Sequence, residues 1–414
     1  MPAATVSIAF LAALLVTTAL RAWLALRQIR HVAGHRGQVP AEFAASIPLA
    51  DHQKAADYSV AKTRLFLAEL AADVALVLAF TFGGLLQWLA DGLSALGADG
   101  YVHGLALFAA YGIVGFAADL PFSLYRTFKL EARFGFNKTT PRLFVGDLAK
   151  GALLAVVIGG PVLFAVLWLM AAMGEYWWLY VWLFWLAFNL LVLLLYPTLI
   201  APLFNKFTPL ADDALKARVE ALLTRCGFAA SGLFVMDSSR RSAHGNAYFT
   251  GFGKARRIVF FDTLLEKLTP AEIEAVLAHE LGHFKRRHVW KRIALLAAAS
   301  LALLWLLGLL IAAPGFYRGL GVATPSTAMA LILFSLAVPV FTFPLSPLTS
   351  LLSRRHEFEA DAYAAQHAAA NDLVDALVKL YRDNAATLTP DPLHSLFHDS
   401  HPPASLRIAR LQNR

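Results

Sequence analysis

Apolar residues run almost without a polar break through positions 6–26, and comparable runs recur at about 66–90, 101–120, 151–173, 177–199, 293–313 and 327–350. A helix rises 1.5 Å per residue, so about 20 apolar residues cross about 30 Å of hydrocarbon. The pattern therefore predicts an all-α multi-pass membrane protein with about seven spans. Helices that are apolar all round at this number cannot share one soluble core. The first run has neither a basic leader nor a small-residue cleavage site, which predicts a retained span and not a signal peptide.

The polar positions between the runs set an orientation. The segment after the first span carries Arg27, Arg30, Arg36, Lys54, Lys62 and Arg64, whereas the segment after the second offers Asp91 and Asp99. Basic loops stay on the cytoplasmic side, so the N-terminus is expected outside the cytoplasm. The alternation continues: 121–150 is basic through Arg126, Lys129, Arg133, Lys138, Arg142 and Lys150, and the turn at Gly174 and Glu175 is not. Four units follow: spans one to five (1–200), a cytoplasmic insert (201–292), spans six and seven (293–350) and a cytoplasmic tail (351–414). The insert reads as small α+β. A helical "DDALKARVEALLTRCG" is followed by strand-like "GLFVMDSS" and "RIVFFD". A helix then opens at "TPAE", with Thr269 as N-cap, Pro270 in the first turn and Glu272 completing a capping box.

Composition narrows the chemistry. Hydrophobic residues make up 58% of the 414 and charged residues 15%. The net charge of +8 does not point to nucleic acid, because the basic residues lie beside spans. A single cysteine, Cys226, excludes an intrachain disulfide and any cysteine-based zinc cluster, so a metal would sit on histidines and carboxylates. Asp73 and Asp119, in or near apolar runs, face either a neighbouring helix or the interface, or else a water-filled chamber.

One short stretch stands apart: "LAHELGHFKRRH". Residues four apart share a helix face, so His279 and His283 can present two imidazoles to one ion, with Glu280 beside it. This HExxH pattern suits a zinc ion that keeps one position for water, the carboxylate taking the water's proton. A third protein ligand is needed. His288 does not supply it in the HExxHxxGxxH manner, because Val289 stands where that histidine belongs and Arg286 where the glycine belongs. The segment "RRHEFEADAYA" places Glu357 and Asp361 four apart on one face. Glu357 is the expected third ligand, and Asp361 the acceptor for the free ring nitrogen of a ligand histidine. Glu359, about 200° round the helix from Glu357, is expected in solvent. Two spans separate His283 from Glu357, so both emerge on one side of the bilayer. The reaction class is peptide-bond hydrolysis with Glu280 as general base. Two rivals remain. One is a transporter or channel with a fortuitous HExxH. The other is a protease that sets its zinc motif inside a span, which Lys285, Arg286 and Arg287 directly after His283 disfavour.

Together "HELGHFKRRH" and "SRRHEFEADAYA" resemble the integral-membrane type I CAAX prenyl endopeptidases, as do "QKAADYSVAKTR", "LPFSLYRTFKLEARFGFNK", "YPTLIAPLFNKFTPL", "RSAHGNAYFTGFGKARRIVFFDTLL" and "FHDSHPPASLRIARL". The resemblance runs from about residue 40 to the C-terminus. It implies a seven-helix barrel around a large chamber, with a small α+β zinc metallopeptidase domain of gluzincin type. It also implies zinc on His279, His283 and Glu357, Glu280 as base, and a substrate-aligning strand at Asn246, Ala247, Tyr248 and Phe249. His401 and Arg407 fall near the substrate carbonyl. Implied substrates are peptides or proteins, prenylated at a C-terminal cysteine in some members; bacterial relatives look more general. From the residues alone, "NAYF" reads equally as an edge strand or an interior hairpin, and a loop histidine such as His401 more often is merely exposed. The tail has no address signal for the endoplasmic reticulum, and Arg, Ala and Leu dominate, which points to a bacterial inner membrane with the site facing the cytoplasm.

Overall fold

The computed structural model describes residues 2–250 and 257–413, so residues 251–256 of one resembling stretch lie outside the described residues. The membrane part begins with α1 (Ala3–Gly34), α2 (Leu49–Phe80), α3 (Leu85–Ala95), α4 (Gly100–Tyr125), α5 (Pro141–Leu154), α6 (Gly160–Ala172), α7 (Trp177–Leu195) and the short α8 (Ala201–Phe204). Wide π-type turns join α5 to α6 through Ala155–Gly159 and α7 to α8 through Tyr196–Ile200. Pro161 and Pro197 lie at these turns, where a missing N–H already interrupts the regular ladder. Among the described residues, six helices are long and apolar enough to cross a bilayer, and a bent pair brings the number to seven.

That bent pair corrects one expectation. The run at 66–90 reads as one continuous span, yet the chain breaks after Phe80 and α3 leaves at 52°. Gly84 takes φ +71°, open to glycine at little cost. Across the break, Gly321 sits so close that a Cβ on it would lie 2.3 Å from the Thr81 carbonyl oxygen.

The insert holds β1 (Phe207–Pro209), α9 (Asp213–Arg225), β2 (Gly232–Met236), β3 (Ala247–Thr250), β4 (Arg257–Phe261), α10 (Asp262–Leu265) and α11 (Pro270–Lys285). The sheet order is β1-β2-β4-β3, with β2 parallel to β4 and the other pairs antiparallel. Among the described residues β3 is bonded on one side only, so "NAYF" leads into an edge strand. Val219, Leu222, Ile258, Phe260, Leu277 and Leu281 close the core between α9, the sheet and α11. The capping box forms as read: the Thr269 side chain accepts from the Glu272 N–H, and Glu272 accepts from the Thr269 N–H. Glu274, buried on the same helix, is held by Arg218 and Arg225 of α9.

The chain then re-enters the membrane as α12 (His288–Leu310), α13 (Pro314–Gly319) and α14 (Thr327–Thr342). A single turn joins α14 to α15 (Ser346–His367), making one 41-residue helical run that leaves the bilayer carrying Glu357. The tail ends with α16 (Ala370–Asp383), α17 (Pro392–His398) and α18 (Ala404–Gln412).

In the membrane α1 packs against α2, α13 and α14, α6 lies between α4 and α7, and α7 meets α12. Only 6% of the most apolar stretch of α4, α7 and α12 is buried. Helices so little covered leave most of their apolar surface open, and the spans form a membrane barrel. Asp73 is exposed on α2. With Arg21, Thr17 and Thr18 it lines a cavity of about 420 Å³ between α1, α2, α4 and α14.

Candidate metal centre and active site

The site exists because α11 packs directly on α15 at Gly282. A Cβ placed on Gly282 would lie 2.9 Å from Ala360 Cα and 3.0 Å from Tyr363 Cβ. With no side chain at 282, the face bearing His279 and His283 lies directly on the face bearing Glu357 and Asp361. Each helix is also fixed to a span, α11 through the Arg286–Arg287 turn to α12 and α15 through α14.

His279, His283 and Glu357 offer ligand atoms that all lie within 4.8 Å of one another. The two Nε2 atoms are 3.1 Å apart, Glu357 Oε1 is 3.3 Å from His283 Nε2, and Oε2 is 3.5 Å from His279 Nε2. Ligands about 2.0–2.1 Å from a tetrahedral ion stand roughly 3.3 Å apart, so the spacing matches. Among the described residues Glu357 Oε2 is buried without a hydrogen-bond partner. A buried carboxylate oxygen left this way is costly unless a cation completes it. The donor set therefore fits a divalent metal.

The surrounding groups fix the imidazoles. Asp361 Oδ1 lies 2.8 Å from His279 Nδ1, and the Arg407 guanidinium donates to both Asp361 oxygens at 2.6 and 2.9 Å. Arg407 is buried, with Nη1 3.6 Å from Glu357 Oε2. Burial disfavours the charged form of His279, but its hydrogen bonds to Asp361 and Glu357 outweigh that and push it up to about 9. Glu280 is half-buried and makes no hydrogen bond or ion pair among the described residues, which leaves both oxygens to a water or a substrate. The His401 side chain is 61% exposed, its Nε2 3.5 Å from Glu357 Oε1 and its Nδ1 3.0 Å from Ser400 Oγ.

The edge strand comes next. Ala247, Tyr248 and Phe249 pair with Phe260, Val259 and Ile258, and β3 lies against α11. Asn246 precedes the strand. Its side-chain oxygen accepts from the Ala247 N–H at 2.8 Å, and its carbonyl accepts from the Phe261 N–H at 3.0 Å. His244, His394 and His398 stand elsewhere: His244 stacks on Phe136, and His394 stacks on His398.

Two features escape a reading of the sequence. Gly282 appears there only as a free position within HExxH, although its place on the ligand-bearing face was a usable signal. Glu359 is only partly in solvent: its side chain is 28% exposed and accepts from His288 Nε2 at 3.0 Å and from Arg355 Nε at 3.1 Å. Spacing along α15 does turn it away from Glu357, but spacing cannot reveal that α12 begins on that side.

Residues 28–206 match the model for the CAAX prenyl protease N-terminal region with five membrane helices, and residues 209–414 match that for peptidase family M48. A CAAX prenyl protease 1 homolog of Arabidopsis thaliana is 38% identical over 86% of each chain. CAAX prenyl protease 1 of Saccharomyces cerevisiae is 37% identical over 71% of this chain and 68% of its own. The crystal structure of Saccharomyces mikatae Ste24p superposes with a TM-score of 0.90 at 31% identity, covering 99% of both chains. Neither the site nor these relatives supports a transporter with a fortuitous motif. A membrane barrel with a His-His-Glu cluster, matched along nearly its whole length, makes the chain a member of the CAAX prenyl protease 1 family of M48 metalloendopeptidases.

Proposed function

We propose that the metal is zinc, held by His279, His283 and Glu357, and that the enzyme cuts peptide bonds near prenylated C-terminal cysteines. The observation that carries the zinc assignment is the buried Glu357 carboxylate facing two Nε2 atoms at tetrahedral spacing, with one oxygen that has no hydrogen-bond partner among the described residues. Nitrogen and oxygen donors in such a set suit zinc. Held by these three residues, a zinc ion would supply Lewis acidity toward the scissile carbonyl and a bound water.

The chain's own groups do the rest. Glu280 takes a proton from the attacking water and passes it to the leaving amine. Asp361, clamped by Arg407, holds His279 in the tautomer that presents Nε2 to the ion. His401, exposed at the site's rim, donates to the oxyanion that develops on the carbonyl, with Arg407 Nη1 as the nearby positive charge. An extended peptide adds along β3, its main chain paired with residues 246–249. The insert and tail face the cytoplasm of a bacterial inner membrane, a placement supported by the basic segments between spans.

The test uses one peptide in farnesylated and unmodified form, incubated with purified protein with and without a chelator. Cleavage of the farnesylated form, about one zinc per chain, and loss of both on chelation are expected. Glu280→Gln should keep zinc and lose turnover. Cleavage that survives complete metal removal would end the zinc assignment, and equal rates on both peptides would end the prenyl preference.

A further inference from the structure

The two histidines of the centre are held by different means. His279 reaches a carboxylate directly, through Asp361, which Arg407 clamps in turn. His283 has no carboxylate at its outer nitrogen. Its Nδ1 lies 3.0 Å from His288 Nδ1, and His288 Nε2 lies 3.0 Å from Glu359 Oε2. Glu359 in its turn accepts from Arg355, with Lys291 Nζ 3.9 Å away.

The chemistry of the nitrogens gives this chain a direction. His283 must keep the Nε2 lone pair for the metal, so its proton sits on Nδ1 and donates to His288 Nδ1. His288 then carries its own proton on Nε2 and donates it to Glu359. Every ring nitrogen is used once, in one tautomer. The backbone is built for this arrangement. Arg287 takes φ +57°, a left-handed conformation uncommon outside glycine, and the resulting turn brings the first residue of α12 beside His283. His288 is only 4% exposed, and its ring stacks on His356 at 4.0 Å. A buried imidazole with both nitrogens engaged and a costly turn delivering it is placed more firmly than packing alone requires.

We infer that His288 and Glu359 are positioning residues, a relay that fixes the ring of His283 toward the metal as Asp361 fixes the ring of His279. The inference rests on the proposed zinc ligands. Its failure can be told from theirs, because the wild-type protein must first bind zinc for any variant to be compared.

The test measures zinc affinity by chelator competition and ligand geometry by the visible absorption of cobalt-substituted protein, alongside thermal unfolding. His288→Phe keeps the stacked ring and removes both nitrogens. It should weaken zinc about 10- to 100-fold and shift the cobalt bands, at little change in unfolding temperature. Glu359→Gln should cause a smaller loss in the same direction, and the double variant should lose no more than His288→Phe alone, because the two act in series. His288→Asn, whose amide oxygen can accept from His283, should recover part of the loss. Unchanged affinity and spectrum in His288→Phe would overturn the relay. So would equal losses in His288→Phe and His288→Asn, which would make His288 a packing residue only.

Discussion

Asp361 and Arg407 are both nearly excluded from solvent and pair through two hydrogen bonds, with His279 as the other partner of Asp361. Breaking such a pair from one side leaves a buried charge alone, at about 3–5 kcal/mol, whereas removing both leaves none. Arg407→Ala should therefore lower the unfolding temperature sharply, and Asp361→Asn in the same chain should restore part of it. Asp361→Ala alone should also weaken metal binding by about 10- to 100-fold, read by chelator competition. Unchanged affinity would reduce Asp361 to an ion-pair partner of Arg407. The proposed metal ligands can be picked out in the sequence because their spacing is a property of one helix at a time. Two histidines at i and i+4, and Glu357 and Asp361 at i and i+4, declare their shared faces without reference to anything else. The pairings of Arg407 with Asp361 and of Glu359 with His288 are not legible in that way, because each joins two elements and nothing in local spacing names it.

At the scale of elements, the crossing of α11 and α15 rests on the missing side chain at Gly282. Gly282→Val would force Ala360 and Tyr363 away and separate the imidazole pair from Glu357. Overpacking of this kind costs about 1–3 kcal/mol, and zinc affinity should fall with it although no ligand has changed. Gly282→Val protein that binds zinc as tightly as wild type would show that the two helices are not held by this contact. The sequence yields the helices themselves, including the capping box that starts α11, since caps and apolar periods are local. It does not yield the break between α2 and α3, because a long apolar run looks the same straight or bent. What bends it is a glycine pair together with the approach of Gly321 from 237 positions beyond Gly84.

At the scale of the molecule, the ligands come from helices separated by two spans, so bilayer topology and catalytic geometry constrain each other. If the proposed orientation holds, a membrane-impermeant maleimide applied to intact cells should label Ser94→Cys and not Lys216→Cys in a Cys226→Ser background. The second position should react only after permeabilisation. Both are exposed, so the native cysteine, which is buried, is the one to remove. The number of spans is read from hydropathy with little loss, whereas the hollow between them is not, because apolar residues facing lipid and apolar residues facing a void spell the same pattern.

The open side of β3 has one more consequence. A protein that grips its partner through amide and carbonyl groups reads a feature common to all polypeptides, so the grip itself discriminates poorly between amino-acid orders. Beyond any preference for a lipid on the cysteine, selectivity would then have to come from reach: how far a chain end extends before its bond arrives beside Glu280. Such an enzyme measures its clients more than it spells them.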